Sequence, residues 1–156
     1  MKKANEKRRK RNAMIRERKE YEEKVWDRSP QSTKEQMASL KPVGFWKPKG
    51  RWPSNDPDMK YPDPHDFVDE SWDASEMRIV LAYVDFEGHK RQYWRGYSNC
   101  RMCEKNTNGT TEPFDDVYRW PEGFAHYIRD HHVKPPQDFI DHCLARAAEL
   151  GLDEVA

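Results

Sequence analysis

The chain lacks a long hydrophobic run. Only 35% of its 156 residues are hydrophobic, and no stretch approaches the roughly 20 consecutive apolar residues of a membrane-spanning helix. The basic start, 1-MKKANEKRRKRN-12, has no apolar segment after it, as an export signal would. The length allows one modest domain with extensions and excludes a large multi-domain enzyme. We therefore expect a cytoplasmic protein with no membrane partner.

Net charge is also absent, but the charges are segregated. The chain has 28 Lys+Arg and 28 Asp+Glu. Residues 1–52 hold 17 basic and 7 acidic side chains, a balance of +10, which leaves −10 for residues 53–156. This asymmetry indicates either a basic arm with an acidic partner or an arm that docks on its own acidic body.

Glycine and proline are missing from residues 2–28, and straight-chain residues dominate there, so we expect a helix. Residues 1–28 form a basic arm in this interpretation. The cluster 7-KRRKR-11 is either a solvated tail or a set of phosphate contacts with nucleic acid or a nucleoprotein assembly. The candidate contacts on the arm are Lys7, Arg8, Arg9, Lys10, Arg11 and Arg16.

Proline is concentrated in residues 29–72, which hold seven of the eleven prolines and are predicted to form an extended strap. Within it, 44-GFWKPKGRWP-53 mixes aromatic and basic residues, a composition suited to base stacking and phosphate contact. The candidate residues are Trp46, Lys47, Lys49 and Arg51. Alternatively, these aromatic rings fill grooves on their own domain.

Residues 73–156 have the pattern of a small α+β domain. The segments 77-MRIVLAYVDF-86 and 90-KRQYWRGY-97 are rich in β-branched and aromatic residues and predict a β-hairpin. A short strand at 117–120 precedes a helix from Pro121 to about His132. A second helix follows Pro135-Pro136, buries one face and ends at Gly151.

The three cysteines are an odd number in a chain without an export signal, so a disulfide framework does not account for them well. Cys100-x-x-Cys103 and the later pair His126 and His131 match a tetrahedral structural zinc site, with one Zn²⁺ held by four protein ligands. At about 100° per residue the two histidines are about 140° apart, so the helix must loosen near its end. His132 is the substitute ligand, with Cys143 or His142 less favoured. The alternative is that the thiols and histidines bind no metal.

The turn that holds Cys100 and Cys103 is followed by short strands and then a helix, an order similar to a treble-clef or zinc-finger arrangement. The segments 94-WRGYSNCRMC-103 and 115-DDVYRWPEGFAHYIRDHHV-133 further resemble a family of small, mostly uncharacterised bacterial and phage proteins. This resemblance covers about residues 90–142. It implies that the four ligands act together and that Trp94, Trp120, Pro121 and Gly123 shape the scaffold. It implies no particular activity.

Signatures of catalysis are missing as well, since there is no P-loop, Rossmann fingerprint or G-x-S-x-G elbow. We therefore expect a non-catalytic, zinc-stabilised binding module whose arm engages nucleic acid. The first alternative is a protein-interaction or structural component, such as a phage host-directed factor or assembly subunit, whose strap wraps a partner. A metal-dependent nuclease or hydrolase is the weakest alternative. It is suggested by Glu122, Asp130 and His132, but four ligands leave no open position.

Overall fold

The protein is an α+β fold, described by a computed structural model over residues 1–25, 35–50, 55–94, 97–105 and 108–156. The longer helices in these ranges are α1 (Lys2–Val25), α2 (Ala74–Val84), α3 (Phe124–His131) and α4 (Gln137–Leu150). The strands are β1 (Lys41–Pro42), β2 (Lys90–Tyr93), β3 (Thr111–Phe114) and β4 (Tyr118–Arg119). They form one sheet in the order β1-β4-β3-β2, in which β1 runs parallel to β4 and the other pairs are antiparallel. In the described ranges, no helix has the length and apolar character to cross a bilayer.

The prediction of a first hairpin strand at residues 77–86 is wrong, because most of these residues lie in helix α2. Asp73 begins this helix as an N-cap, and its carboxylate accepts a hydrogen bond from the Glu76 N–H at 2.9 Å. Val80, Tyr83 and Val84 then fall at i, i+3 and i+4 and are buried together. The helical period outweighs the β-branched composition, which is a weaker signal.

Strand β2 lies within the expected 90–97 segment, but its partner is β3, with Lys90 opposite Phe114 and Tyr93 opposite Thr111. Strand β4 falls inside the predicted 117–120 segment. The two predicted helices are confirmed as α3 and α4, although α3 begins at Phe124 rather than at Pro121. Gly151 ends α4 in the left-handed conformation with φ of 69°.

The core lies where α2, α3 and α4 meet the sheet. Several of its largest side chains come from these helices and from the end of β4, and they have almost no exposed surface. They include Trp120, Phe124, Ile128, Phe139 and Ile140. The first turn of α3 is therefore anchored in the core, which fixes the helix that carries both predicted histidine ligands.

The described part of the strap packs on its own domain. Trp46 and Trp72 are 7% and 6% exposed and belong to the same core as Trp120. Val68 forms a β-bridge with Val133, just after α3. The interpretation of Trp46 as a base-stacking residue is corrected by this burial, because a side chain that is 7% exposed has too little free surface to stack on a base. Arg51 lies outside the described residues, and the segment limits 1–28, 29–72 and 73–156 stay predictions.

Helix α1 confirms the expected helical arm as far as residue 25, and residues 26–28 lie outside the described ranges. Its inner face contacts the acidic body. Lys7 forms an ion pair with Glu154, and the Arg11 guanidinium donates a hydrogen bond of 2.6 Å to the Leu150 carbonyl. The arm thus docks on its own domain, as one of the two interpretations of the charge asymmetry predicts.

Candidate metal centre

The cysteine pair lies in a tight turn at residues 100–103. The Glu104 N–H donates to the Cys100 carbonyl at 3.0 Å, and Glu104 adopts φ of 62°. The Cys100 N–H donates to the Lys105 carbonyl at 2.8 Å. The Met102 N–H points back at the Cys100 Sγ at 3.4 Å. These contacts hold both cysteines in one tight turn.

Helix α3 supplies the two histidines, and its end brings them together. His131 is the last helical residue, and His132 follows with φ of 53°. The backbone N–H groups of His132 and Val133 both donate to the Tyr127 carbonyl, so the chain leaves the helix directly after His131. The rings of His126 and His131 meet edge to face with centroids 4.9 Å apart. The angle of about 140° between His126 and His131 around an ideal helix therefore does not keep their rings apart.

The four potential ligand atoms lie within 4.8 Å of one another. The Cys100 Sγ is 3.5 Å from the His131 Nε2, the Cys103 Sγ is 3.3 Å from the His126 Nε2, and the two Nε2 atoms are 3.2 Å apart. Tetrahedral bonds of about 2.3 Å to sulfur and about 2.05 Å to nitrogen place two nitrogens about 3.3 Å apart and nitrogen about 3.5 Å from sulfur. These three distances match a tetrahedral site, and the four side chains are close enough to hold one metal ion.

Asp130 orients one of the histidines. Its Oδ2 lies 2.7 Å from the His126 Nδ1, which leaves the Nε2 of the same ring to face the cysteines. A carboxylate on the far nitrogen of a ligand histidine fixes the tautomer and makes the ring a better donor to metal. The i, i+4 spacing of His126 and Asp130 on one helix is a signal from which this pair could have been predicted.

Burial also favours the ligand form of His131. Removal from water and the neighbouring His126 lower the pKa of His131, so the neutral imidazole is the preferred state. Neutral imidazole is the state that donates its lone pair to a metal, and no proton has to be displaced before binding at neutral pH.

Tyr127 joins the cysteine turn to α3. Its hydroxyl oxygen accepts a hydrogen bond from the Arg101 N–H at 2.7 Å, and its ring lies 5.9 Å from that of Trp46. Burial raises the pKa of Tyr127 to about 12, so the phenol stays neutral at physiological pH. This contact was not anticipated from the sequence, since it joins residues far apart in the chain.

The substitute ligands lie elsewhere in the described chain. His132 is in the turn after α3 and outside the four-residue cluster. Cys143 is fully buried in the core, where burial raises the pKa of its thiol. The His142 Nε2 lies 2.7 Å from Asp115 Oδ2. The grouping of Cys100, Cys103, His126 and His131 is the one that geometry supports.

The predicted nucleic-acid contacts divide into two groups. Lys7 and Arg11 are half-buried against the body. Four others on α1 are exposed: Arg8, Arg9, Lys10 and Arg16. In the strap, Lys47 is half-buried and Lys49 is exposed. The structure therefore keeps part of the basic surface accessible and uses the rest internally.

Comparison of the chain with protein-family models, curated proteins and solved structures gave no match. The resemblance to small bacterial and phage proteins stays a prediction. The assignment of the site depends on its own geometry and on the chemistry of its four donors.

Proposed function

We propose that this chain is a non-catalytic binding module, stabilised by one zinc ion, whose arm binds nucleic acid. The observation that carries the zinc proposal is the S₂N₂ donor set, in which three ligand–ligand distances match tetrahedral coordination. Thiolate and imidazole ligands in this geometry favour zinc over magnesium or calcium, which prefer oxygen. The cysteine turn at residues 100–103 is followed by β3, β4 and α3, and this order supports a treble-clef-like arrangement of the site.

A structural role for the ion follows from the number of ligands. Catalytic zinc generally has three protein ligands and one open position for water or substrate, whereas this cluster supplies four. The ligands join two segments, the turn at 100–103 and α3, that the backbone connects only through the intervening strands. Binding here stabilises the native state by linking those segments, as structural zinc sites do. A hydrolase is therefore the less well supported proposal.

The metal proposal is tested by measuring zinc in untagged protein by mass spectrometry. One zinc per chain is expected in the wild type, and its loss is expected in the double variant Cys100→Ser/Cys103→Ser. Cys143→Ala is the matched control, because it removes a thiol that lies in the core outside the cluster. Absence of zinc from the wild type, or its retention in the double variant, would contradict the proposal.

The nucleic-acid proposal is supported by the outward face of α1. Arg9 and Arg16 are seven residues apart, about two helical turns, so they lie on one side of the helix, and both are exposed. Lys19 is exposed on the same side, one turn further on. Cations in such a row neutralise successive phosphates and release counterions, which produces affinity with little sequence preference.

The test is the affinity for a labelled duplex, measured by fluorescence anisotropy over about 50 to 200 mM salt. The double variant Arg9→Gln/Arg16→Gln should bind more weakly, and the slope of log affinity against log salt should fall by about 0.9 for each phosphate that the variant no longer neutralises. The control Lys41→Gln/Arg78→Gln makes the same charge change at exposed positions outside α1. Salt-independent binding, or an equal loss of affinity in the control, would contradict the proposal.

A protein-interaction role depended mainly on a strap that wraps a partner. Residues 35–50 and 55–72 instead supply core residues and an edge strand to their own domain. The strap therefore gives less support to a protein-interaction role, whereas the exposed basic face of α1 still supports the nucleic-acid proposal.

A further inference from the structure

A cleft of about 300 Å³ lies beside the cysteine turn. Arg101 and Tyr127, which join the turn to α3, form part of its lining. The other aromatic side chains that line it are Phe45, Tyr61, Trp94 and Tyr97, together with the buried Trp46. Its volume is at the small end of the ligand-pocket range of about 300 to 1,000 Å³, which suits a single small planar ligand.

Two of these rings are open to solvent. Trp94 is 40% exposed and Tyr97 is 75% exposed. The backbone holds the chain near both rings in place, because the Trp94 N–H donates to the Thr110 carbonyl at 2.8 Å and the Asn108 N–H donates to the Ser98 carbonyl at 3.2 Å. Exposed aromatic rings beside a cleft on an anchored backbone provide ready surfaces for stacking.

Two further rings of the cleft already have cationic neighbours. Phe45 and Tyr61 stack with centroids 5.5 Å apart at an interplanar angle of 27°. The Arg119 guanidinium already lies 4.9 Å from the Phe45 ring, and the Lys60 ammonium lies 5.2 Å from the Tyr61 ring. Because these two rings already have cationic neighbours, Trp94 and Tyr97 are the rings of the cleft that a ligand can stack on.

Polar groups in the cleft match the edge of a base and its phosphate. The carboxylates of Asp58 and Glu112 and the guanidinium of Arg101 all line it. The Arg101 Nη2 is 3.7 Å from the Asp58 Oδ2, which is too long for a strong hydrogen bond and leaves both groups able to contact a ligand. The Glu112 carboxylate already lies 3.4 Å from the Arg119 guanidinium, so Asp58 is the carboxylate placed to accept from a base N–H, and Arg101 is the group placed to bind phosphate.

We propose that this cleft binds an unpaired nucleobase of single-stranded nucleic acid, with the base stacked on Trp94 and Tyr97. The inference rests on the proposed nucleic-acid function and names a second point of contact for it. The outward face of α1 contacts phosphates of any strand, whereas the cleft accepts a base only when its faces are not already stacked in a duplex.

The experiment compares a labelled single strand of about ten nucleotides with a duplex of the same sequence. Tyr97→Ala and Trp94→Ala should each weaken single-strand binding by about five-fold or more, the effect of losing one stacked base, and change duplex affinity by much less. Tyr93→Ala is the matched control, because Tyr93 is 50% exposed on β2 but does not line the cleft. A 2-aminopurine in the single strand should lose fluorescence on binding the wild type, and less on binding the two cleft variants.

Zinc content and circular dichroism check that each variant is folded, and the high exposure of Tyr97 makes its removal the safer test of the two. Unchanged single-strand affinity and unchanged 2-aminopurine quenching in both cleft variants would overturn the cleft proposal. Loss of duplex and single-strand affinity in Arg9→Gln/Arg16→Gln would at the same time uphold the α1 proposal. If the wild type binds no oligonucleotide and no free nucleoside monophosphate, both proposals are wrong.

Discussion

Removal of the Asp130 carboxylate should weaken zinc binding at the proposed site without removing a ligand. Its Oδ2 lies 2.7 Å from the His126 Nδ1, and the other nitrogen of that ring is 3.3 Å from the Cys103 Sγ. Loss of such an outer partner costs about 10- to 100-fold in metal affinity, or about 1.4 to 2.7 kcal/mol. Because the Asp130 side chain is 47% exposed, water can replace part of the interaction. We therefore expect Asp130→Ala to lose about 10-fold in zinc affinity.

The measurement is competition for zinc against a coloured chelator at constant pH and salt. Asp130→Asn should fall between the wild type and Asp130→Ala, since its amide oxygen still accepts from the Nδ1–H but carries no charge. Glu87→Ala is the control, because it removes an exposed carboxylate elsewhere on the surface. Wild-type affinity in Asp130→Ala, or the same loss of affinity in Glu87→Ala, would refute the orienting role of Asp130.

Three further predictions concern stability. Gly44 and Gly50 have φ of 75° and 86°, but only at Gly44 would a Cβ meet a buried ring, at 2.5 Å. Gly44→Ala should therefore lower the free energy of unfolding, measured with urea, by about 2 to 4 kcal/mol, and Gly50→Ala should lower it by about 1 kcal/mol. Equal losses in the two variants would contradict the steric argument. Burial lowers the pKa of His89 to about 4, so the unfolded chain binds more protons between pH 6.5 and 4. Across that range the wild type should lose about 3 kcal/mol more stability than His89→Gln, and parallel pH profiles would contradict this. Arg11→Ala removes the 2.6 Å hydrogen bond to the Leu150 carbonyl, so amide exchange in α1 should be about five-fold faster, and unchanged exchange would show that this contact does not hold the helix.

The Cys/His cluster could be predicted from the sequence because its spacing is local. Cys100 and Cys103 share one turn, and His126 and His131 share one helix, so two short segments contain the complete donor set. The same applies to α4, whose apolar period and terminal Gly151 are both local signals. What the sequence could not supply is the distance between the two segments, which depends on the intervening strands.

Strand β3 shows where local signals fail. It lies between β4 and β2, and Pro113 within it faces Arg91 across the pair with β2. Proline has no N–H to donate and is rare in a central strand, so propensity argues against this assignment. The Pro113 carbonyl still accepts a 3.0 Å hydrogen bond from the Trp120 N–H, and the short neighbouring strands require few donors. Pairing with β2 and β4, rather than local propensity, therefore determines that these residues form a strand.

The base-stacking interpretation of Trp46 is wrong for a different reason. A tryptophan among lysines has the same local composition whether it stacks on a base or fills its own core. The deciding contact is with the Tyr127 ring, 5.9 Å away in space but distant in the chain. Only long-range packing distinguishes the two interpretations, and here it shows that the Trp46 ring is buried in its own core.

The basic helix α1 is compatible with both interpretations of the charge asymmetry, of which the structure shows docking on its own domain. Lys7 and Arg11 are four residues apart, so they lie on one face, where they contact Glu154 and the carbonyl end of α4. A cation at a helix C-terminus also complements the helix dipole. Arg9 points away from this face and is exposed, as is Arg16. Docking of α1 and the proposed binding of phosphate therefore depend on different side chains, and under this proposal α1 does not have to leave the body to bind nucleic acid. Under this proposal, neutralising Arg9 or Arg16 should change only the affinity for nucleic acid, whereas neutralising Lys7 or Arg11 should first change the stability of the docked helix.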